Sequence, residues 1–141
     1  DTRLIIPLSY GGPAKYVNDV KTLYSNKWPD KVDTLLDYMP LHEYNKMFLR
    51  LRCMILSAWR QESQGTAIMG FYLGIKVFMS ERSPLYRWFK DCGFIVYSLE
   101  KSSESDYSRG LNEEEKLHNR HIVLERYNEI AFEETLKFHF K

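Results

Sequence analysis

The sequence predicts an α+β fold, in which a mainly antiparallel sheet carries helices packed on one of its faces. Two segments, 49–55 and 71–79, alternate apolar and other residues at the period of a strand. A strongly marked helix follows at 83–93, and the chain closes on further alternating residues at 121–140. With 141 residues, 44% of them hydrophobic and 28% charged, the chain has the size and composition of a globular domain. We therefore predict a single domain over 1–141.

The beginning of the chain predicts an edge strand followed by two helices. An early apolar run is interrupted by Pro7, which suits an edge strand because proline lacks the N–H that a central strand needs. Pro13 fits the first position of a helix whose apolar residues recur at spacings of three and four as far as Ser25. Asp30 can cap a second, short helix, which Pro40 ends.

The region 44–58 fits two structures, since helical spacing can be found in it but the residues around Arg50 and Arg52 alternate at period two. We take it as a strand that points both arginines away from the core. The region 71–79 predicts a second strand, with Lys76 on its outward side.

The helix at 83–93 has the most complete local signals. Ser83 is a good N-cap, Pro84 stands at the first helical position, and Gly93 stands where a left-handed residue ends a helix. One apolar stripe runs along this helix, made of Leu85, Trp88, Phe89 and Cys92. The residues at 94–99 then predict a third strand, because they are rich in β-branched and aromatic types.

The polar region 100–116 has no period and predicts a mobile loop or a docking segment. Beyond it, the segments 121–127 and 129–140 predict a closing hairpin around Asn128. No apolar run in the sequence approaches the roughly 20 residues that a membrane-spanning helix needs.

Composition narrows the classes of function. The formal net charge of +1 argues against a protein that works mainly by non-specific nucleic-acid binding, because such binding needs a dominant basic surface. Cys53 and Cys92 lie in apolar stretches and predict buried free thiols in a reducing intracellular compartment. Aromatic residues make up 15% of the chain, and Tyr and Trp suit protein interfaces as well as a core.

No convergent set of reactive residues stands out in the sequence. His118 and His121 with Glu114 are a candidate metal site, but no thiolate or third ligand lies nearby, and polar residues leading into a strand explain them as well. A metal-dependent nuclease could be assembled from Asp30 and Glu114, although the acidic residues lie in a predicted loop. Cys92 belongs to an apolar helix stripe, where packing explains it. We predict no catalytic residue, no metal site, no cofactor and no small-molecule substrate.

A group of lysines near the N-terminus is a candidate contact with phosphates or acidic lipid: Lys15, Lys21, Lys27 and Lys31. Each lysine at an anionic membrane surface contributes roughly 1 kcal/mol, so several can bring a protein to a membrane without anchoring it firmly. Asp19, Asp30 and Asp33 dilute this patch, and an ordinary solvated helix surface explains it too.

Two runs carry a family resemblance. The first alternates aromatic, aliphatic and basic residues, Lys-Met-Phe-Leu-Arg-Leu-Arg-Cys-Met-Ile-Leu-Ser at 46–57, and the second opens a helix with Ser-Pro-Leu-Tyr-Arg at 83–87. Together they make the region 44–92 similar to the core of rhabdovirus matrix proteins. The chain departs from that family because it has neither a Pro-Pro-x-Tyr motif nor a strongly basic N-terminal arm. The resemblance implies a non-enzymatic protein that self-associates between a nucleocapsid and a membrane.

The leading hypothesis is therefore a non-enzymatic viral matrix or assembly protein. The resemblance implies a peripheral membrane protein of the virion and host cytoplasm, with other copies of itself, the nucleocapsid and an acidic lipid surface as partners. Self-association would use exposed aromatic side chains, for which the candidates are Tyr10, Trp28, Tyr72 and Tyr107. The alternative is a nucleic-acid-associated binding module, whose exposed sheet face would carry Arg50, Arg52 and Lys76. A small hydrolase or nuclease is the third hypothesis.

Overall fold

The computed structural model describes residues 3–9 and 12–131. The chain divides into two compact units, a first unit over Asp1–Asn45 and a second unit over Lys46–Lys141. Tyr10 and nearly all of the predicted last strand lie outside the described residues. The organisation as a single domain over the whole chain stays a prediction.

The first unit is a β-α-β arrangement. Strand β1 (Leu4–Pro7) leads into helix α1 (Ala14–Lys27), which is followed by strand β2 (Val32–Leu35). The two strands pair in parallel along their whole length. Arg3 adds a two-pronged contact to Asp33, in which Nε donates to Oδ2 at 3.0 Å and Nη2 donates to Oδ1 at 2.7 Å.

The short helix predicted after Asp30 is wrong. Its first residues form strand β2 instead, because Val32 and Thr34 are β-branched and because β1 offers an edge with which they pair. Helix α2 (Leu41–Phe48) begins only after Pro40 and occupies the first part of the region that we predicted as a strand.

The second unit alternates strands with helices. Its elements in chain order are β3 (Cys53–Leu56), α3 (Gln64–Leu73), β4 (Lys76–Met79), α4 (Pro84–Asp91), β5 (Tyr97–Ser98), α5 (Glu104–Ser108) and α6 (Glu113–Arg126). The sheet has the order β3-β4-β5, and both strand pairs are parallel.

The predicted mainly antiparallel sheet is therefore wrong, since every described strand pair in both units is parallel. Parallel neighbours need a long crossover connection, and α3 and α4 supply it. The region 71–79 misled the sequence interpretation because the end of α3 and all of β4 fall within it. Helix α3 is apolar on every side, so its residues show no helical period.

The core of the second unit forms around three aromatic rings. The ring centroids of Phe71 and Phe94 are 4.5 Å apart in a stacked pair, and those of Phe71 and Phe89 are 5.0 Å apart in an edge-on pair. All four residues of β4 are buried, as expected for the central strand of a parallel sheet. Helix α4 lies where it was predicted, after Ser83 and Pro84.

Helix α6 replaces the first strand of the predicted closing hairpin, so that prediction is wrong for 121–126. It begins with a reciprocal cap, in which Asn112 Oδ1 accepts from the Glu115 N–H and a carboxylate oxygen of Glu115 accepts from the Asn112 N–H, both at 2.9 Å. The polar region 100–116 contains α5 and the start of α6. Its mobility stays a prediction.

Candidate functional site at the carboxyl edge of the sheet

The carboxyl ends of the three parallel strands of the second unit meet at one edge. Leu56 at the end of β3 pairs with Met79 at the end of β4, and Met79 pairs with Ser98 at the end of β5. The loops that follow these strands, 57–63, 80–83 and 99–103, therefore start side by side, and we call them the carboxyl-edge loops. Ligands of parallel α/β sheets bind outside this edge.

Helices α3 and α4 both begin at these loops, with Ser63 and Ser83 as their N-cap residues. Serine is among the best N-caps, yet neither hydroxyl makes a capping hydrogen bond with any described residue. The residue Ser63 has a left-handed backbone with φ of 64°, which differs from the extended conformation of an ordinary N-cap. The first N–H groups of both helices thus receive no cap from the N-cap serine and carry the partial positive charge of a helix N-terminus. On α4, Pro84 has no N–H and the Tyr86 N–H donates to the Ser83 carbonyl at 3.1 Å, so Leu85 carries the first backbone donor.

The space beside the first turn of α3 is open. A Cβ atom built on Gly65 would meet no atom within 4 Å. Glycine at this position keeps the helix backbone accessible, so a ligand can approach the N–H groups closely.

Trp59 and Arg82 connect the first two carboxyl-edge loops. The guanidinium carbon of Arg82 lies 4.5 Å from the centre of the Trp59 ring system, within cation–π distance. Trp59 lies in the first of these loops and remains 63% exposed. On the same loop, Arg60 forms an ion pair with Glu62 at 2.6 Å. The edge therefore carries two guanidinium groups and an accessible aromatic ring.

Glu100 holds the turn between β4 and α4 in place. Its carboxylate accepts hydrogen bonds from the Ser80 hydroxyl and, at 2.9 Å, from the Glu81 N–H. These bonds favour the charged carboxylate and hold the pKa of Glu100 below its usual range. Lys101 pairs with Glu81 at 2.7 Å, so the acidic side chain of that turn is already neutralised.

A groove of about 370 Å³ runs from this turn along α4. Arg82 and Ser83 line its beginning, and Arg87 and Trp88 line it further along the helix. Ser83 is only 2% exposed, and its hydroxyl oxygen has no hydrogen-bond partner within the described part of the chain. A buried hydroxyl without a partner is costly and therefore uncommon in native structures.

The residues predicted for nucleic-acid contact lie near the opposite, amino edge of the sheet. Lys76 is 4% exposed, which corrects its predicted place on an exposed sheet face. Its Nζ donates to the Asp106 carbonyl at 2.9 Å and lies 4.3 Å from the centre of the Tyr97 ring. Arg52 donates to the Ser108 carbonyl at 3.0 Å, whereas Arg50 is exposed between α2 and β3. The three basic residues thus form no common exposed face.

The residues predicted for lipid contact and self-association are spread over both units. Trp28 and Tyr72 are 40% and 44% exposed, and Tyr107 is half-buried against Phe78 at 4.6 Å between ring centroids. The exposed lysines of the first unit are Lys15, Lys21, Lys27 and Lys31. Lys15 pairs with Asp19 at 3.6 Å, and the negative charge of this aspartate offsets part of the positive potential of the lysines.

No group of three His, Cys, Asp or Glu side chains within residues 3–9 and 12–131 is arranged to hold a metal ion. His118 contacts the Gly93 carbonyl at 2.8 Å and His121 pairs with Glu125 at 3.1 Å, so the two histidines have separate partners. Burial raises the pKa of the Cys53 thiol, which makes it a weaker nucleophile at neutral pH. Among the described helices, none is both long enough and apolar enough to cross a membrane.

Comparison with known proteins gives no relative: the chain matches no protein-family model, no curated protein and no solved structure.

The sequence did not point to the residues of the carboxyl-edge loops. Ser83 was seen as a helix cap, but Trp59, Arg60 and Arg82 had no motif of their own. A signal was nevertheless present, because each of the first two strands of this sheet is followed by a short polar loop with a serine just before a helix.

Proposed function

We propose that the second unit binds a small molecule that carries phosphate, of the nucleotide class, at the carboxyl edge of its sheet. The observation that carries this proposal is the pair of helix N-termini at one edge, each with a serine at its N-cap and neither capped by it. An anion placed at either helix end is stabilised by that helix dipole and receives hydrogen bonds from first-turn N–H groups, which on α4 begin at Leu85 because Pro84 has none.

The topology supports the nucleotide class. The sequence of elements β3-α3-β4-α4-β5, with three parallel strands in their chain order, is the arrangement of one mononucleotide-binding half of a dinucleotide-binding fold. This is an analogy of fold, which narrows the class of ligand without naming it.

The side chains at the edge support the same class. Arg82 supplies charge that pairs with phosphate oxygens, and a guanidinium can do so through two parallel hydrogen bonds. Arg60 is paired with Glu62 at 2.6 Å and would have to exchange that carboxylate for a phosphate. The exposed ring of Trp59 offers a flat apolar surface on which a nucleobase can stack. The proposal is one of binding, and we assign no reaction to the site.

A titration of the whole chain with ADP, GDP, UDP and CDP tests this proposal, with binding followed by tryptophan fluorescence. We expect saturable binding of at least one of the four and a smaller signal in Trp59→Phe. Arg82→Ala should weaken that binding about tenfold or more, because a hydrogen bond to a charged group contributes about 1.5–3 kcal/mol.

Arg50→Ala is the matched control, since Arg50 is exposed near the opposite edge of the sheet. It should leave the affinity unchanged. The proposal fails when none of the four nucleotides binds, or when the Arg50 and Arg82 variants lose the same affinity.

The second candidate is the predicted viral matrix or assembly protein, without enzymatic activity and peripheral to a membrane. The exposure of Trp28 and Tyr72 favours it, because aromatic side chains left in solvent suit contacts between copies of the chain. Light scattering across a range of concentrations and flotation with acidic liposomes test it. This candidate would be excluded if the protein stayed monomeric at every concentration and did not float with acidic liposomes at low salt.

A further inference from the structure

The groove along α4 combines a helix N-terminus with cationic side chains. The helix has eight residues, and Arg82 and Ser83 precede it directly. Pro84 at the first helical position fixes φ where the helix starts and has no N–H, so the Leu85 N–H is the first backbone donor of this helix. Arg87 lies one turn further along the groove, where its guanidinium can reach a ligand seated at the helix N-terminus.

The unpartnered hydroxyl of Ser83 gives a second, independent sign of a ligand. It stands at the N-cap, where a serine normally accepts a hydrogen bond from a backbone N–H of the first helical turn. Here it makes no such bond and none with another described residue, although the side chain is almost fully buried in the lining of the groove. A phosphate oxygen is a strong acceptor and would satisfy this hydroxyl as a donor.

The charges around the groove favour an anion at its N-terminal end. Glu81 lines the groove, but Lys101 neutralises it at 2.7 Å. Asp91 also lines the groove, seven residues after Pro84, which places its backbone about 10 Å along the helix axis from that residue. Arg82 and Arg87 thus remain as the cations at the end at which the helix begins, where Arg82 also interacts with the charge of the Glu100 carboxylate.

We infer that this groove is the subsite for the phosphate group, where the Ser83 hydroxyl donates to a phosphate oxygen and Arg82 and Arg87 pair with its charge. The inference rests on the proposed function, because it assigns one part of the same edge to one part of the ligand. The volume of about 370 Å³ is larger than one phosphate needs and accommodates a diphosphate.

Titration calorimetry with pyrophosphate tests the subsite, with ADP, GDP, UDP and CDP titrated in parallel. Ser83→Ala and Arg87→Ala should each weaken pyrophosphate binding about tenfold or more, since each removes a hydrogen bond to a charged acceptor. Arg87→Lys keeps the charge but loses the two-pronged geometry, so its loss should be smaller than that of Arg87→Ala. Arg50→Ala, near the opposite edge, should bind as the natural chain does.

The thermal stability of the free protein separates a binding role of Ser83 from a structural one. Since its hydroxyl has no partner to lose, Ser83→Ala should keep or raise the melting temperature while it lowers affinity. A lowered melting temperature together with unchanged pyrophosphate affinity would show that the hydroxyl serves the fold and would overturn the inference.

The remaining outcomes distinguish the subsite from the proposed function. When a nucleoside diphosphate binds but Ser83→Ala and Arg87→Ala leave its affinity and that of pyrophosphate intact, the subsite is wrong and nucleotide binding at the edge stands. When neither pyrophosphate nor any of the four nucleotides binds to the natural chain, both the subsite and the proposed function are wrong.

Discussion

The side chain of Asn119 joins α6 to the segment that leads into β5, and its removal should strongly destabilise the second unit. It is fully buried, its Oδ1 accepts from the Ile95 N–H at 2.8 Å, and its Nδ2 donates to the Ile95 carbonyl at 3.1 Å. Asn119→Ala leaves both backbone groups without a partner, and each orphaned group costs about 1–3 kcal/mol when it is buried. Because Ile95 is only half-buried and water can reach it in part, we expect a loss of about 3 kcal/mol in the free energy of unfolding.

Urea unfolding followed by circular dichroism measures this loss. Asn45→Ala is the control, because Asn45 is an exposed helical asparagine, and it should change the free energy of unfolding by no more than about 0.5 kcal/mol. A loss below about 1 kcal/mol for Asn119→Ala, or one equal to that of the control, would refute the bridging role of this side chain.

Asn119→Asp adds a dependence on pH whose sign follows from the same two bonds. The charged carboxylate can accept from the Ile95 N–H but would face the Ile95 carbonyl oxygen, whereas the protonated acid can donate to it. Folding should therefore raise the pKa of the introduced acid above its unfolded value of about 3.9. The variant should be most stable below that value and should lose stability as the pH rises through the folded-state pKa.

Three further predictions concern the second unit. Burial and the hydrogen bond to Glu115 raise the pKa of Tyr97 to about 12. The stability that this tyrosine contributes below its usual pKa should therefore be lost as the pH rises towards 12, and Tyr97→Phe should flatten this loss in alkaline unfolding curves. The lowered pKa of Glu100 means that its contribution is present above the usual carboxyl pKa and lost as the pH falls; acid unfolding of Glu100→Gln should lack that loss and begin from a lower stability at neutral pH. Gly74→Ala should lower the free energy of unfolding by about 1–2 kcal/mol in urea, because φ is +75° and the new Cβ would lie 2.8 Å from Lys116 Cγ. Gly65→Ala, in open helical space, should be neutral or stabilising by up to about 1 kcal/mol.

Local signals predicted the elements that depend on local sequence. Helix α4 was predicted correctly because the residues at its two ends signal its start and its stop: Ser83 and Pro84 at the start and Gly93 at the end. The start of α6 was equally local, since Asn112 and Glu115 have the spacing of a reciprocal cap. The sequence prediction did not use this signal, and 121–127 was predicted as a strand where the cap indicates a helix.

The parallel pairing could not be predicted in the same way, because it depends on which strands meet in space. β4 is buried throughout and reads as a continuous apolar run apart from Lys76, so alternation carries no information there. Lys76 itself was predicted to be exposed because alternation placed it opposite the apolar side of the strand, but the carbonyl of Asp106 and the ring of Tyr97 compensate its burial. The candidate site shares this origin, since Trp59 and Arg82 are brought together only when β3 and β4 lie side by side.

The helix ends at the two edges of this sheet differ in whether side chains of the chain pair with their backbone groups. At the amino edge, side chains of the sheet and the residue before it donate to the last carbonyls of α5: Lys76 to Asp106, Cys53 to Tyr107 and Arg52 to Ser108. Cations placed there compensate the negative end of a helix from within the chain. At the carboxyl edge, the positive ends of α3 and α4 receive no side-chain cap from the described residues, although a serine stands in position at each. Helix α6, by contrast, begins with a side-chain cap from Asn112. The donors at these two ends, fewer on α4 because Pro84 has no N–H, match an anion supplied from outside, and for this reason we propose a ligand at this edge rather than at the basic residues of the other.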